Sequence, residues 1–178
     1  MEHLKRIKRE LAYKGTLINI YKDTILIDNN REANYDFIEH HGASAINPSD
    51  KDGYIIMVRQ YRNAIDDYTL EIPAGSLNAG EDNMTCAIRE CEEETGYKPL
   101  KAEHLIDVHT TVAFCNEMIK IYYSDDIVPS MQNLDDGEFI NVERHSLDDL
   151  ISMIYSGKIT DAKTVAGLLA LKHKLFYK

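Results

Sequence analysis

Apolar positions in the first part of the chain follow two different spacings. In LKRIKREL, Leu4, Ile7 and Leu11 recur at intervals of three and four, which predicts a short helix. The next stretch, TLINIYKDTILID, is β-branched and alternating up to the turn-like pair Asn29-Asn30, and predicts a hairpin into ANYDFIEH. GASAIN and YIIMVRQYR flank PSDKDG, a Pro/Asp/Gly turn, and predict a second antiparallel pair. YTLEIP, AEHLIDVHTTV, MIKIYYS and FINVER read as further strands, with a polar loop, PSMQNLDDGE, before the last. The C-terminal part is helical: SLDDLISMIYSG has Ser146 as N-cap and Gly157 as a stop, and TDAKTVAGLLALKHKL starts at Thr160 or Asp161. Strands and helices do not alternate regularly and no GxGxxG turn is present. The pattern predicts a mixed sheet flanked by helices, not a doubly wound parallel sheet.

One predicted helix carries unusual charge. GSLNAGEDNMTCAIRECEEETGY places Glu90, Glu92, Glu93 and Glu94 within five positions, beside Arg89. Gly80 and Asp82 precede this helix and Gly96 ends it, so it runs for about thirteen residues. At helical spacing Glu90, Glu93 and Glu94 share an arc about 100° wide, next to an apolar arc of Met84, Ala87, Ile88 and Cys91. Carboxylates gathered this way repel one another, and hard divalent cations such as Mg²⁺ or Mn²⁺ are suited to neutralise them through oxygen ligands. A Glu-rich helix taken alone is more often a solvated acidic face.

Composition narrows the partners. The chain has 178 residues with 20 Lys and Arg against 30 Asp and Glu, a formal charge of −10. That balance disfavours non-specific binding to nucleic acid or to an anionic membrane. The N-terminus MEHLKRIKRE lacks the apolar core of a signal peptide, and the longest apolar run, VAGLLAL, is too short to span a bilayer, so a cytoplasmic location is expected. Cys86, Cys91 and Cys115 show no CxxC spacing and read as small buried hydrophobes.

The acidic helix and its approach resemble the Nudix hydrolase box, with Gly75, Glu81, Arg89, Glu90, Glu93, Glu94 and Gly96 at every fixed position. Cys91 and Tyr97 stand where aliphatic residues are usual. The resemblance extends through VRQYR, EIPAG and GKITDAKTVAGLLAL to nearly the whole chain and points to the ADP-ribose and related nucleoside-diphosphate-sugar pyrophosphatases. It implies an α/β (α+β) fold: a Nudix-like α/β/α sandwich with a mixed sheet, preceded by an N-terminal antiparallel β segment. The implied division is an N-terminal helix and hairpin over residues 1–41, for dimerisation and substrate contacts, and a hydrolase domain over 42–178.

By that resemblance Glu90, Glu93, Glu94 and the Ala74 carbonyl hold Mg²⁺ or Mn²⁺, while Gly75, Glu81, Arg89 and Gly96 are structural. Glu138, with Glu93 and Asp136 behind it, acts on the attacking water. Arg59, Arg62, Glu71, Phe114 and Glu117 contact a small nucleoside diphosphate derivative, and the protein is a homodimer. TVAFCNE departs from the family's usual segment, with Val112 and Ala113 in place of proline and glycine, which leaves the sugar open. A domain that senses a nucleotide sugar without cleaving it, and an isomerase acting on a small diphosphate, are the competing readings.

Overall fold

The computed structural model of the chain describes residues 3–16 and 18–177. Expectations that touch Met1, Glu2, Leu17 and Lys178 lie outside the described residues. Two compact units form: one from the N-terminal segment through Gly42 with His109–Met118, the other from Ala43–Val108 and the chain from Ile119 onward.

In the first unit β1 (Leu4–Lys14), β2 (Asn19–Ile27) and β3 (Arg31–Glu39) make an antiparallel sheet in that order. The helix expected over LKRIKREL is therefore a strand. Its ladder to β2 shifts register between Arg6 and Lys8 and again between Leu11 and Tyr13, which leaves Ile7 and Ala12 as extra residues. A bulge stretches a two-residue repeat to three, and so imitates helical spacing while the backbone stays paired. The β2–β3 turn is as the sequence suggests, with Asp28 and Asn29 at φ 49° and 59°, a region such residues tolerate. Arg9 crosses from β1 to grip Asp23 at 2.7 and 2.6 Å and stacks 3.8 Å from the Phe37 ring centre.

The second unit contains β4 (Ala43–Pro48), β5 (Ile55–Arg62), β6 (Asp67–Glu71), β7 (Ala74–Ser76), α1 (Asn83–Thr95), β8 (Tyr97–Pro99), β9 (Glu103–His109), β10 (Met118–Ser124), β11 (Ile127–Pro129), β12 (Ile140–His145), α2 (Leu147–Tyr155) and α3 (Ala162–Phe176). One sheet has the order β7-β4-β10-β9, with β4 parallel to β10 and antiparallel to β7. A second has the order β12-β5-β6 and is antiparallel. The hairpin expected between GASAIN and YIIMVRQYR does not form as a ladder; one isolated bridge, Ser49 to Ile55, joins them. The turn itself is present, since Asp50 accepts the N–H groups of Asp52 and Tyr54. The strands part because all six residues of β4 are buried, which suits the middle of a sheet covered on both faces.

Side-chain alternation along β4 and β10 divides the interior. Ala43, Ala45, Ile119, Ile121 and Tyr123 pack with Leu168 and Leu171 of α3, whereas Ile46 and Tyr122 pack with Ala87 and Cys91 of α1. Helices thus cover both faces of the mixed sheet, the expected α/β/α sandwich. Asp161, rather than Thr160, caps α3 by accepting the Thr164 N–H at 3.0 Å. Among the described residues no helix is long and apolar enough to cross a membrane.

Leu168 is fully buried where α3 meets the mixed sheet. Leu168→Ala should lower unfolding free energy by about 2–5 kcal/mol through lost transfer energy and a residual cavity, measurable by urea titration.

Candidate active site

The acidic helix is set in phase by its ends. Asp82 accepts the N–H groups of Met84 and Thr85 at 3.0 and 3.1 Å, and Gly96, at φ 71°, turns the chain out of the helix. Between these caps Cys86, Ala87 and Cys91 are buried, which carries the neighbouring Glu90 and Glu94 inward. Burial pushes the Cys86 and Cys91 thiols up to about 11 and about 12, so both are inert packing groups. Cys115 is only half-buried, unlike the other two.

Arg89 ties the approach loop to the helix. Its Nε and Nη2 donate to Glu81 at 2.8 and 2.9 Å, and Nη2 also reaches the Ser76 carbonyl at 3.2 Å. That guanidinium holds the Glu81 carboxyl down at about 2. Its Nη1 stands between Glu90 and Glu93, at 2.7 and 2.8 Å. Glu90 lies against Gly75, where an added Cβ would come within 2.1 Å of its carboxylate. Glycine at 75 is therefore a requirement of close approach, not of turn geometry.

Glu94 is the most confined of the acids, 4% exposed, and accepts the Ala74 N–H at 3.0 Å. Among the described residues it has no ion-pair partner. Burial pushes its carboxyl up to about 8, against the pull of the Ala74 N–H, and the charges of Glu90 and Glu138 add to the rise. Glu90 is raised as well, by burial first, in opposition to Arg89, with the charges of Glu93 and Glu138 contributing. The structure therefore brings Glu90, Glu94 and Glu138 within electrostatic reach of one another. Asp136 is exposed on the same loop.

That loop is fastened to the end of α1. Ser130 N–H donates to the Gly96 carbonyl at 2.7 Å, the Gln132 side chain to the Glu94 carbonyl at 2.7 Å, and Asn133 N–H to the Glu93 carbonyl at 2.9 Å. These bonds satisfy carbonyls that a helix C-terminus leaves open. Beyond them Gly137, at φ 90°, turns the chain, and Glu138 accepts the Asp135 N–H at 3.1 Å.

The arginines are pinned by carboxylates. Arg62 donates through Nε and Nη2 to Glu71 at 2.7 and 2.6 Å, and Arg59 through the same two nitrogens to Glu143. Glu71, 1% exposed, also binds Lys163 and Thr69. Burial would raise its carboxyl, but Arg62 and Lys163 outweigh that and hold it at about 2. Glu71 thus serves Arg62 and Lys163 rather than facing solvent. Phe114 and Glu117 belong to the first unit, where Glu117 accepts the Thr110 hydroxyl at 2.6 Å and Phe114 lines a groove of about 400 Å³ with Arg6, Asp23, Tyr35 and Phe37.

Sequence reasoning missed Lys163, Glu143, Gln132 and Asn133. The first had a signal in DAKT, a cap with a lysine in its first turn; the others sit in ordinary polar surroundings.

Among the described residues no three Asp, Glu, His or Cys side chains are already gathered to hold a metal, and Arg89 Nη1 bonds to both Glu90 and Glu93. The donor set nonetheless fits a hard divalent cation. It offers oxygen donors only, carboxylates with the Ala74 carbonyl, and one of the carboxylates is buried with no ion pair among the described residues, beside a glycine whose missing side chain leaves room for the Glu90 carboxylate.

A family model described as the NUDIX domain matches residues 39–168, the span that holds every one of these acids. The chain belongs to the Nudix hydrolase family. It is a Nudix pyrophosphohydrolase, and enzymes of this family generally use divalent metal ions. It is 31% identical to the ADP-ribose pyrophosphatase of Bacillus subtilis (strain 168), over 96% of this chain and 93% of that protein. To the methanol dehydrogenase activator of Bacillus methanolicus it is 34% identical, over 96% of each. A crystal structure of an ADP compounds hydrolase shares the fold with a TM-score of 0.87, at 19% identity, over 98% of this chain and 95% of that one.

The raised carboxyls give this Nudix site a pH signature. Glu94 in the native state keeps its proton up to about 8, whereas the unfolded chain releases it near 4.5. The unfolded state therefore binds fewer protons in that window, and cation-free stability falls as pH rises through it, by an amount on the order of a few kcal/mol. Thermal melts in a chelator should show Tm falling from pH 5 to pH 8, and added divalent cation should restore more of it at pH 8 than at pH 5.

Proposed function

We propose that the protein hydrolyses the diphosphate bond of ADP-ribose or a related nucleoside diphosphate sugar, with Mg²⁺ or Mn²⁺, to a nucleoside monophosphate and a sugar phosphate. The observation that carries this reading is the buried Glu94, without an ion pair among the described residues, beside Glu90 and within electrostatic reach of Glu138 on an anchored loop. Two near-full-length relatives at 31% and 27% identity, from Bacillus subtilis and Mycobacterium tuberculosis, are both called ADP-ribose pyrophosphatase and support the substrate class.

Glu90, Glu93, Glu94 and the Ala74 carbonyl would hold the cations, which supply Lewis-acid neutralisation of the diphosphate and acidify water. The chain's own residues do the rest. Glu138 takes a proton from the attacking water or orients it, as its exposed position on a glycine-hinged loop allows. Arg62 and Arg59 each spend Nε and Nη2 on a carboxylate and keep Nη1 for a phosphate oxygen. Arg89 keeps the loop in place through its two bonds to Glu81, and the Glu90 and Glu93 oxygens that its Nη1 now binds are the ones that would hold a cation.

We further propose that the first unit, with Phe114 and Glu117, contributes substrate contacts and pairs with a second copy of the chain. Leu4, Ile7, Leu11 and Tyr13 along β1 are all exposed, from 45% to 60%, which favours burial against a second copy. A cytoplasmic enzyme of this kind should sediment as a dimer at micromolar concentration; a monomer would remove that assignment.

The methanol dehydrogenase activator among the relatives favours a second reading, in which the chain acts on a partner enzyme. Product analysis separates the two. Purified protein alone should convert ADP-ribose to AMP and ribose 5-phosphate, and chelation should abolish this. Glu138→Gln should lower kcat by about 100-fold with little change in KM, because the bond to water matters mainly in the transition state. Turnover that survives chelation, or a silent Glu138→Gln paired with an inactive Asp136→Asn, would reassign these roles.

A further inference from the structure

Lys163 is out of place by local rules. It lies in the first turn of α3, where a positive charge opposes the helix dipole, and it is 8% exposed, where a charge is costly unless paired. Its Nζ donates to Glu71 and, at 3.0 Å, to Asp161, the N-cap of its own helix.

We propose that Lys163 is a positioning residue for the substrate-binding arginine: by sharing the buried Glu71 with Arg62, it locks the Arg62 guanidinium in a single orientation. The inference rests on the diphosphate reading of Arg62 given above.

Glu71 receives four donors. Arg62 Nε and the Thr69 hydroxyl bind Oε1, and Arg62 Nη2 and Lys163 Nζ bind Oε2. Four donors saturate the lone pairs of a carboxylate, so Glu71 has no freedom to swing while all are in place. The same cap grips the adjacent backbone, because the Thr164 hydroxyl accepts the Ile72 N–H at 3.0 Å while itself donating to Asp161 at 2.6 Å. Two residues further on, Ala74 N–H binds Glu94. The start of α3 therefore fixes Glu71 by its side chain and Ile72 by its backbone. Without Lys163, one oxygen of a buried carboxylate loses its second donor, and the fork to Arg62 becomes free to rotate.

A simple staple between α3 and β6 would use the same bonds, so the test must read Arg62 itself. In the full chain carrying Lys163→Met, which keeps an unbranched side chain without charge, Arg62 Nε–H hydrogen exchange followed by NMR should quicken at least about tenfold. KM for ADP-ribose should rise about tenfold with kcat within about twofold, the mark of weakened uniform binding. A staple lost by partial unfolding would instead lower the active fraction and leave KM unchanged. A folded Lys163→Met protein with unaltered Arg62 exchange and unaltered KM overturns the proposal. Should that variant fail to fold, Lys163→Gln takes its place under the same criteria. If the wild type cleaves no nucleoside diphosphate derivative, the functional reading fails, and Arg62 exchange still decides the coupling.

Discussion

The constraint on which the site depends is the burial of like charges. Glu94 enters a low-dielectric interior with one backbone N–H bound to it and no ion pair among the described residues; Lys163 and Arg62 act on it only at longer range, while Glu90 and Glu138 oppose its charge. An unpaired carboxylate in such a place either keeps its proton or finds a cation. Much of the surrounding chain sets the terms of that choice. The caps at Asp82 and Gly96 fix the phase of α1, the small buried face of Cys86, Ala87 and Cys91 brings it close to the sheet, and Gly75 clears the space that the Glu90 carboxylate fills. Replace any of these with a larger or poorly capping residue and the acids separate or turn toward solvent, where their repulsion costs little and binds nothing.

How far the sequence revealed this differs by element. The acidic helix was legible to its termini, because capping chemistry and the spacing of acids about a helical arc are local properties. The central hairpin prediction failed for the opposite reason. GASAIN and YIIMVRQYR are both strands with a true turn between them, but their partners lie far along the chain: β4 pairs with β10 and β5 with β12. Nothing local distinguishes a strand pair that closes from one that splits between two sheets. The N-terminal error has a more specific cause. Two bulges shift the alternation of β1, so Leu4, Ile7 and Leu11 carry helical spacing in an extended chain. The three-residue strands β7, β8 and β11 are too short for any periodicity to show.

At the site, the residues with fixed spacing in the box were legible and their supports were not. Arg89 and Glu81 stand eight apart in the chain and meet across a loop and a helix turn, a contact that the motif encodes. Glu71 and Lys163 are separated by 92 positions, and DAKT was readable only as a cap. Its threonine and aspartate do form that cap, but its lysine points to a different task. A residue that contradicts the local preference of its own helix is a better guide to long-range chemistry than one that satisfies it.

The arrangement of positive charge bears on why the proposed reaction would call on cations from outside. Arg59 is matched by Glu143, Arg62 by Glu71, Arg89 by Glu81 with Glu90 and Glu93, and Lys163 by Glu71 with Asp161. Each basic group is therefore compensated where it stands, in a chain of net charge −10. Paired arginines hold their direction well but contribute little net field at a distance, since the partner's charge cancels most of it. On the proposed reading they would orient a diphosphate once it arrives and do little to attract one. On the same reading, the attraction would come from divalent ions held by Glu90 and Glu94, so that the same carboxylates that would repel the substrate would recruit the charge that draws it in.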